Sequence, residues 1–174
     1  MEDAVPFGSR TYWIMLALLV FARAMDFIST WVATPHLVLE GNPLAKMLGW
    51  RWGLVVNAVF CVAAAFWPLP AVVISTCSLL VAARNFQHAW LMRSLGEESY
   101  RDWHIARIQE TRVSLYLVCL AGQTALTALV GGALIWFCPT EFAPLAIGWG
   151  IVAYAFAVAF YTLLSVWRLR RALG

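Results

Sequence analysis

Ionisable side chains interrupt a long apolar stretch near the start of the chain. Arg23, Asp26 and Thr30 are spaced i, i+3 and i+7, which places them on one face of a helix. A carboxylate in such surroundings can act as a general acid or base, and a guanidinium can hold an anionic group. Because ionisable residues in apolar segments are costly and often mark function, this face is the first candidate site.

A second polar group lies in a later apolar stretch. Arg84 and His88 are four residues apart, with Asn85 between them. At about 1.5 Å per residue, Asp26 and Arg84 each lie about 20 Å from the start of their own stretch, so we expect them to meet at one level. His88 lies one turn further along, where an imidazole can carry a proton.

The segment after the first apolar stretch contains Glu40, Asn42 and Pro43, which together predict the start of a helix. Asn is a good helix cap, and Pro suits the first helical position. A carboxylate just before that position is favoured by the positive end of the helix. The motif either serves only this helix start or also holds Glu40 against Arg84 or His88.

These residues are expected to converge in one polar site. We assign catalytic roles to Asp26, Glu40 and His88. The substrate-binding group comprises Arg23, Thr30, Asn42, Asn57, Arg84 and Asn85. No metal-ligand spacing such as HExxH occurs, so no metal site is predicted. The structural alternative is that an Asp–Arg pair between helices fixes their register and that the histidine only packs.

Composition identifies the class of protein that must position these side chains. Of 174 residues, 63% are hydrophobic and 12% are charged, and the mean hydropathy is +0.77. A soluble domain averages about 45–50% apolar and about 25% charged residues, and disorder requires low hydrophobicity. The 4 Cys residues form no CxxC pair, which argues against a disulfide-stapled secreted domain. The chain is therefore predicted to be an integral membrane protein.

Five segments reach the roughly 20 apolar residues that a membrane-spanning helix needs. They predict an all-α, polytopic bundle that forms one domain over residues 1–174, with spans at 12–33, 43–67, 71–95, 113–137 and 145–167. Pro68 and Pro70 are expected to separate the second span from the third. In the second span, Gly49, Gly53 and Asn57 are spaced i, i+4 and i+8, a small-residue stripe that allows close helix approach.

The charges of the loops indicate the orientation, because positive residues concentrate on the cytoplasmic side of membrane proteins. With the N-terminus outside, nine of the twelve Lys and Arg residues fall on the opposite side: Lys46, Arg51, Arg93, Arg101, Arg107, Arg112, Arg168, Arg170 and Arg171. We therefore predict an N-out, C-in, multi-pass protein of the cell inner (cytoplasmic) membrane, with its polar site in the cytoplasmic half. The net charge of +3 reflects this bias and does not indicate nucleic-acid binding.

The longest polar segment covers residues 96–112. Apolar and aromatic residues recur in it at roughly helical spacing: Tyr100, Trp103, Ala106 and Ile108. This spacing predicts a short amphipathic helix on the cytoplasmic surface. The alternative is a plain hydrated loop.

One part of the chain resembles a known family. Asp26-Phe-Ile-Ser29-Thr30 followed by Glu40-Gly-Asn42-Pro43 is similar to a signature of small prokaryotic membrane proteins that carry the domain of unknown function numbered 5658. The resemblance covers about 21–60, a third of the chain. The family often has a Lys in the helix that follows, where this sequence has Asn57. The resemblance implies a helical membrane fold and no particular activity.

The sequence leaves several functions open. The first is a site that binds or modifies an amphiphilic, lipid-like molecule, and as an enzyme the class would be lipid or isoprenoid modification. The second is an accessory or structural subunit of a larger membrane complex. Haem is a third option and would need two of His36, His88 and His104 to approach from different elements. The expected partners are membrane lipids and either further copies of the chain or other membrane subunits, while the cofactor is unknown.

Overall fold

The computed structural model describes residues 4–40 and 43–171, without the side chains of 43, 44 and 169–171. Within these ranges the chain is all-helical, with six helices and no strand. The helices are α1 (Arg10–Ala33), α2 (Pro43–Ala64), α3 (Pro68–Leu95), α4 (Glu97–Glu110), α5 (Val113–Phe137) and α6 (Phe142–Arg171). Five of them, all except α4, are long and apolar enough to cross a membrane. The predicted all-helical fold is therefore confirmed, and the five predicted spans correspond to helices with the length and composition to cross a membrane.

The start of α3 differs from the expectation. Pro68 and Pro70 belong to the first turn of α3 instead of separating it from α2. Proline is tolerated there, because the first N–H groups of a helix have no intrahelical partner. α6 likewise begins at Phe142, a few residues before the predicted bound, whereas α2 begins at the predicted Pro43.

α6 lies between α3 and α5, because glycines on two of its sides allow both neighbours to approach closely. A Cβ at Gly148 would lie 2.7 Å from the carbonyl oxygen of Gly131 on α5. A Cβ at Gly150 would lie 2.6 Å from the Cβ of Thr76 on α3. Residues two positions apart on a helix point about 200° apart, so the two contacts lie on opposite sides. The order across the bundle is α2, α1, α3, α6, α5, with α4 against α3 and α6.

α1 and α3 form the most extensive helix pair. The buried residues of each helix recur at spacings of three, four or seven, which is the pattern of helices that pack along their length. On α1 they are Tyr12, Leu19, Ala22, Ser29 and Ala33, and on α3 they are Pro68, Ala71, Ser75, Ser78, Ala82 and Ala89. Small residues dominate this seam, as in other membrane helix pairs.

An apolar cluster joins α1, α2 and α3 at the end of the bundle where α1 begins. Its buried members are Tyr12, Leu19, Cys61, Ala64, Ala65 and Ala71. The hydroxyl group of Tyr12 donates to the carbonyl oxygen of Val62 on α2 at 3.4 Å. This end of the three helices is therefore closed by apolar packing, and the polar side chains lie further along.

α2 is interrupted near its start. Gly49 has φ 62° and ψ −172°, which is outside the helical region and is a conformation that glycine adopts without strain. Gly49 therefore does not continue the helical stripe of Gly53 and Asn57, contrary to the expectation. Gly53 keeps the predicted packing role, because a Cβ there would lie 3.5 Å from the ring of Phe27 on α1.

α4 occupies the polar segment after α3. Gly96, with φ 81°, ends α3 and precedes α4, so the segment is a helix and the loop alternative is wrong. Tyr100 and Ile108 are buried, whereas Trp103 is 46% exposed. The placement of α4 on a membrane surface stays a prediction.

Large apolar side chains cover the outer faces of the bundle. Leu126, Trp136 and Phe137 on α5 are 68%, 80% and 79% exposed. Exposed apolar patches of this kind mark interaction or membrane surfaces. They fit helices that are surrounded by lipid.

The contact between Gly131 and Gly148 gives a direct test of the packing. Gly131→Ala should lower the free energy of unfolding by about 1–3 kcal/mol, the usual cost of overpacking, because its Cβ would lie 2.7 Å from the Gly148 carbonyl oxygen. Gly132→Ala is the matched control, since nothing lies within 4 Å of a Cβ there and the gain in helix propensity is the same. Thermal unfolding in detergent measures both variants. A Gly131→Ala melting temperature equal to or above that of Gly132→Ala contradicts the described packing.

Candidate functional site

Arg23 connects the first three helices through its guanidinium group. Its Nε donates to Asn57 Oδ1 on α2 at 2.7 Å, and its Nη1 donates to Ser78 Oγ on α3 at 3.1 Å. The same Nη1 forms an ion pair with Asp26 Oδ2 at 2.7 Å, one turn along α1. The structure therefore brings Arg23, Asp26 and Asn57 together and adds Ser78, which the sequence-based prediction omitted.

The amide of Asn57 is fixed by its own helix. Its Nδ2 donates to the carbonyl oxygen of Gly53 at 2.8 Å, and the amide oxygen is thereby directed to Arg23. α2 makes a smaller contact with α1 than α3 does, so this polar contact contributes a large part of what holds α2 to α1 at this level.

Asn85 forms a second polar contact between α1 and α3. Its Nδ2 donates to Thr30 Oγ1 at 3.1 Å and lies 3.3 Å from Ser29 Oγ. Ser29 in turn donates to the backbone carbonyl oxygen of Asp26 at 2.9 Å. The predicted residues Thr30 and Asn85 thus contact each other beside the network of Arg23.

Glu40 lies near this network. It belongs to the loop after α1, and its charge interacts unfavourably with that of Asp26. Arg23 offsets this repulsion through its ion pair with Asp26. Asn42, predicted to bind substrate, lies outside the described residues. Among the residues that are described, no group of three His, Cys, Asp or Glu side chains could hold a metal ion.

Arg84 and His88 do not join the network of Arg23. Successive helix residues point about 100° apart, so Arg84 lies on a different face of α3 from Asn85, which contacts α1. The imidazole of His88 is exposed, and its Nδ1 donates to the Arg84 carbonyl oxygen at 2.9 Å. The expected meeting of Asp26 and Arg84 is not found among the described residues, where Asp26 pairs with Arg23 of its own helix. An equal depth along two helices does not fix the direction of their side chains.

Glu97, at the start of α4, is a polar centre that the sequence-based prediction missed. Its carboxylate accepts hydrogen bonds from Thr34 Oγ1 at 2.5 Å, the His36 N–H at 3.1 Å and the Val38 N–H at 3.2 Å. The Nδ1 of His36 also lies 2.9 Å from Glu97 Oε1. The carboxylate therefore holds the loop of residues 34–40 against α4. Glu97 and its partners are about 60 positions apart in the sequence. Neither a local sequence pattern nor the number of charged residues predicts such a contact.

The loop needs such an anchor. Leu37 has φ 56°, a left-handed conformation that costs a residue with a side chain roughly 1–2 kcal/mol. Burial by itself would raise the pKa of Glu97, but the hydrogen bonds from Thr34, His36 and Val38 outweigh it and place that pKa below its usual value. The ionised carboxylate is thus the form that stabilises the loop.

Comparisons of the chain with models of protein families, with curated proteins and with solved structures found no match. They neither support nor contradict the resemblance to the family with the domain of unknown function numbered 5658, which stays a prediction. Function is therefore inferred from the geometry of the described residues.

Removing the Glu97 carboxylate should release the 34–40 loop. In Glu97→Ala, the amides of His36 and Val38 lose their acceptor. Since a hydrogen bond to a charged group contributes about 1.5–3 kcal/mol, amide exchange in the loop should accelerate about tenfold or more. Hydrogen–deuterium exchange measures this effect, with the exposed neighbour Glu98→Ala as the matched control.

The same anchor has a defined pH dependence. Because the folded-state pKa of Glu97 is lowered, protection of the loop is complete above the ordinary value of 4.5 and is lost as pH falls through the lowered pKa. Glu97→Ala should show no such step. Equal exchange in Glu97→Ala and Glu98→Ala at neutral pH would show that Glu97 is not the anchor.

Proposed function

We propose that the protein binds an amphiphilic, lipid-like molecule. The polar group of that molecule would lie beside Arg23 and Asp26, in the cytoplasmic half of the membrane. One observation carries the proposal. The ion pair lies within a helix that is long and apolar enough to span a membrane, and yet the side chains of Arg23 and Asp26 remain 26% and 17% exposed. Lipid chains do not solvate charge, so a polar group or water must cover the exposed part.

The pair also retains hydrogen-bonding capacity. A guanidinium has five N–H donors and a carboxylate has two acceptor oxygens. With the described residues, Arg23 bonds through Nε and Nη1 and Asp26 bonds through Oδ2, which leaves Nη2 and Oδ1 for a ligand. A polar headgroup with both donors and acceptors matches this arrangement.

The position of α2 favours access from the side. α2 is joined to α1 by the apolar cluster at one end, by the contact between Arg23 and Asn57, and by Phe27, which lies against Gly53 and Trp50. Between α2 and α3 there is little contact. An acyl or isoprenoid chain would enter from the bilayer between α2 and α3, where contact is least, while its polar group reaches Arg23.

Binding is better supported than catalysis. The charges of Asp26 and Glu40 interact with each other, but a general acid or base must be within hydrogen-bond reach of the proton that it transfers. The imidazole of His88 lies on another face of α3, so it does not carry a proton to Asp26 in this conformation. We therefore propose a binding protein, in which any modification of the amphiphile would depend on the two carboxylates.

Photo-crosslinking tests the binding site. The full chain is reconstituted in phosphatidylcholine vesicles that contain a trace of phosphatidylcholine with a diazirine near its headgroup, and mass spectrometry maps the crosslinks. Crosslinks are expected near Asp26 and Asn57. In the double variant Arg23→Gln/Asp26→Asn, they should fall about tenfold or more, the factor for losing one hydrogen bond to a charged group. Changing both partners together avoids leaving one charge unpaired.

The control for this experiment is Thr124→Val on α5, which removes a hydroxyl that donates to the Leu120 carbonyl oxygen of its own helix. Its crosslinks should match those of the unmodified chain. Equal crosslinking in the double variant and in Thr124→Val would overturn the proposal. Native mass spectrometry after gentle extraction adds a second criterion, since a stoichiometric partner protein instead of lipid would favour the accessory-subunit function.

The proposed membrane orientation is N-out and C-in, in the cell inner membrane, on the basis of the loop cations. A green fluorescent protein fused after Gly174 should therefore fluoresce in a bacterial host, because it folds in the cytoplasm. An alkaline phosphatase fused at the same place should be inactive. The opposite pair of results would reverse the orientation and place the Arg23 site in the other half of the membrane.

A further inference from the structure

Within the described part of the chain, Arg84 has no ion-pair partner, although it lies in a helix that is long and apolar enough to span a membrane. Its guanidinium forms no hydrogen bond or ion pair with the residues that the structure describes, although its side chain is partly buried. Two carboxylates of α4 have other partners, since Glu97 holds the 34–40 loop and Glu110 pairs with Arg107 at 2.9 Å. A partly buried charge in this position is costly unless an anion compensates it.

The charge of Arg84 interacts with polar aromatic side chains of two other helices. Tyr100 on α4 and Tyr116 on α5 both lie within electrostatic range of its charge. His104 stacks on Tyr100 with a ring separation of 5.9 Å and an interplanar angle of 8°. Burial lowers the pKa of His104, and the nearby His88 lowers it further. The group thus combines one permanent cation with two phenols and two imidazoles.

The group lies at a depth that suits a lipid headgroup. Arg84 is about 24 Å along α3 from Pro68 at 1.5 Å per residue, and the hydrocarbon core is about 30 Å thick. Trp90 and Trp103, on either side of the turn between α3 and α4, are 70% and 46% exposed. Exposed tryptophans are typical of the membrane interface, which is where the phosphates of the cytoplasmic leaflet lie.

We propose that Arg84, together with Tyr100, Tyr116 and His104, forms a binding site for a phosphate-bearing anion, separate from the site of Arg23 and Asp26. A guanidinium binds phosphate through two parallel N–H donors, and the phenol and imidazole groups donate to the remaining oxygens. The phosphate belongs either to a lipid of the cytoplasmic leaflet or to a soluble compound. This site does not rest on the proposed function at Arg23.

Native mass spectrometry of the full chain in neutral detergent tests the site. The chain is titrated separately with dioleoyl phosphatidic acid, dioleoyl phosphatidylcholine and inorganic phosphate. Phosphatidic acid should bind more tightly than phosphatidylcholine, and Arg84→Gln should weaken its binding about tenfold or more, the factor for losing a charge-assisted hydrogen bond. Arg93→Gln is the matched control, since Arg93 is an exposed arginine further along the same helix.

The arms of the titration separate the two sources of phosphate. Binding of phosphatidic acid that inorganic phosphate does not displace indicates a lipid, whereas binding of inorganic phosphate with the same dependence on Arg84 indicates a soluble compound.

Arg84→Lys keeps the charge and loses the paired donors, so it should show an intermediate loss of binding even if Arg84→Gln fails to fold. The proposal would be overturned if Arg84→Lys and Arg93→Gln bound phosphatidic acid and inorganic phosphate as tightly as the unmodified chain does. The double variant Arg23→Gln/Asp26→Asn should keep this binding, so failure at one site is distinguishable from failure at the other.

Discussion

A charged arginine can remain within an apolar bundle only if its donors meet acceptors, and Arg23 meets them on three helices. Asp26 supplies the opposite charge on α1, while Asn57 and Ser78 bring α2 and α3 to the same point. Lipid offers no hydrophobic force to press helices together, so hydrogen bonds and close contacts must do so. The position of α2 depends on this requirement more than on extensive packing, because its contact with the rest of the bundle is small.

In the other half of the bundle, close contacts between small residues hold the helices together in place of hydrogen bonds to a charged group. Gly131, Gly148 and Gly150 let three backbones approach to distances that any side chain would prevent. The seam between α1 and α3 uses both kinds of contact. Small residues line most of its length, and the Asn85 amide forms a hydrogen bond near its end. The hydrogen-bonded polar side chains thus lie in one part of the bundle, and the glycine contacts hold the helices beside it.

Hydropathy was sufficient to predict the five spans, because the cost of placing polar residues in lipid is large and local. The spacing of Arg23 and Asp26 was also informative, since residues three apart share a helix face. The depth of a residue along its helix does not determine the direction of its side chain. Arg84 therefore lies on a different face of α3 from Asn85. The seam could have been found from the regular spacing of Ala71, Ser75, Ser78 and Ala82, but Glu97 could not, because its partners are distant in the sequence and lie in a loop.

The place of α6 has a consequence for biosynthesis. The chain emerges from the ribosome from its first residue to its last, so the helix that separates α3 from α5 is made after both of them. Among the described helices, α5 packs on α6 and on no other, and it must wait in the bilayer without a neighbour until α6 has been inserted. The α1–α3 pair can form long before that moment. α6, which is synthesised after α3 and α5, is therefore the helix that joins the two parts of the bundle.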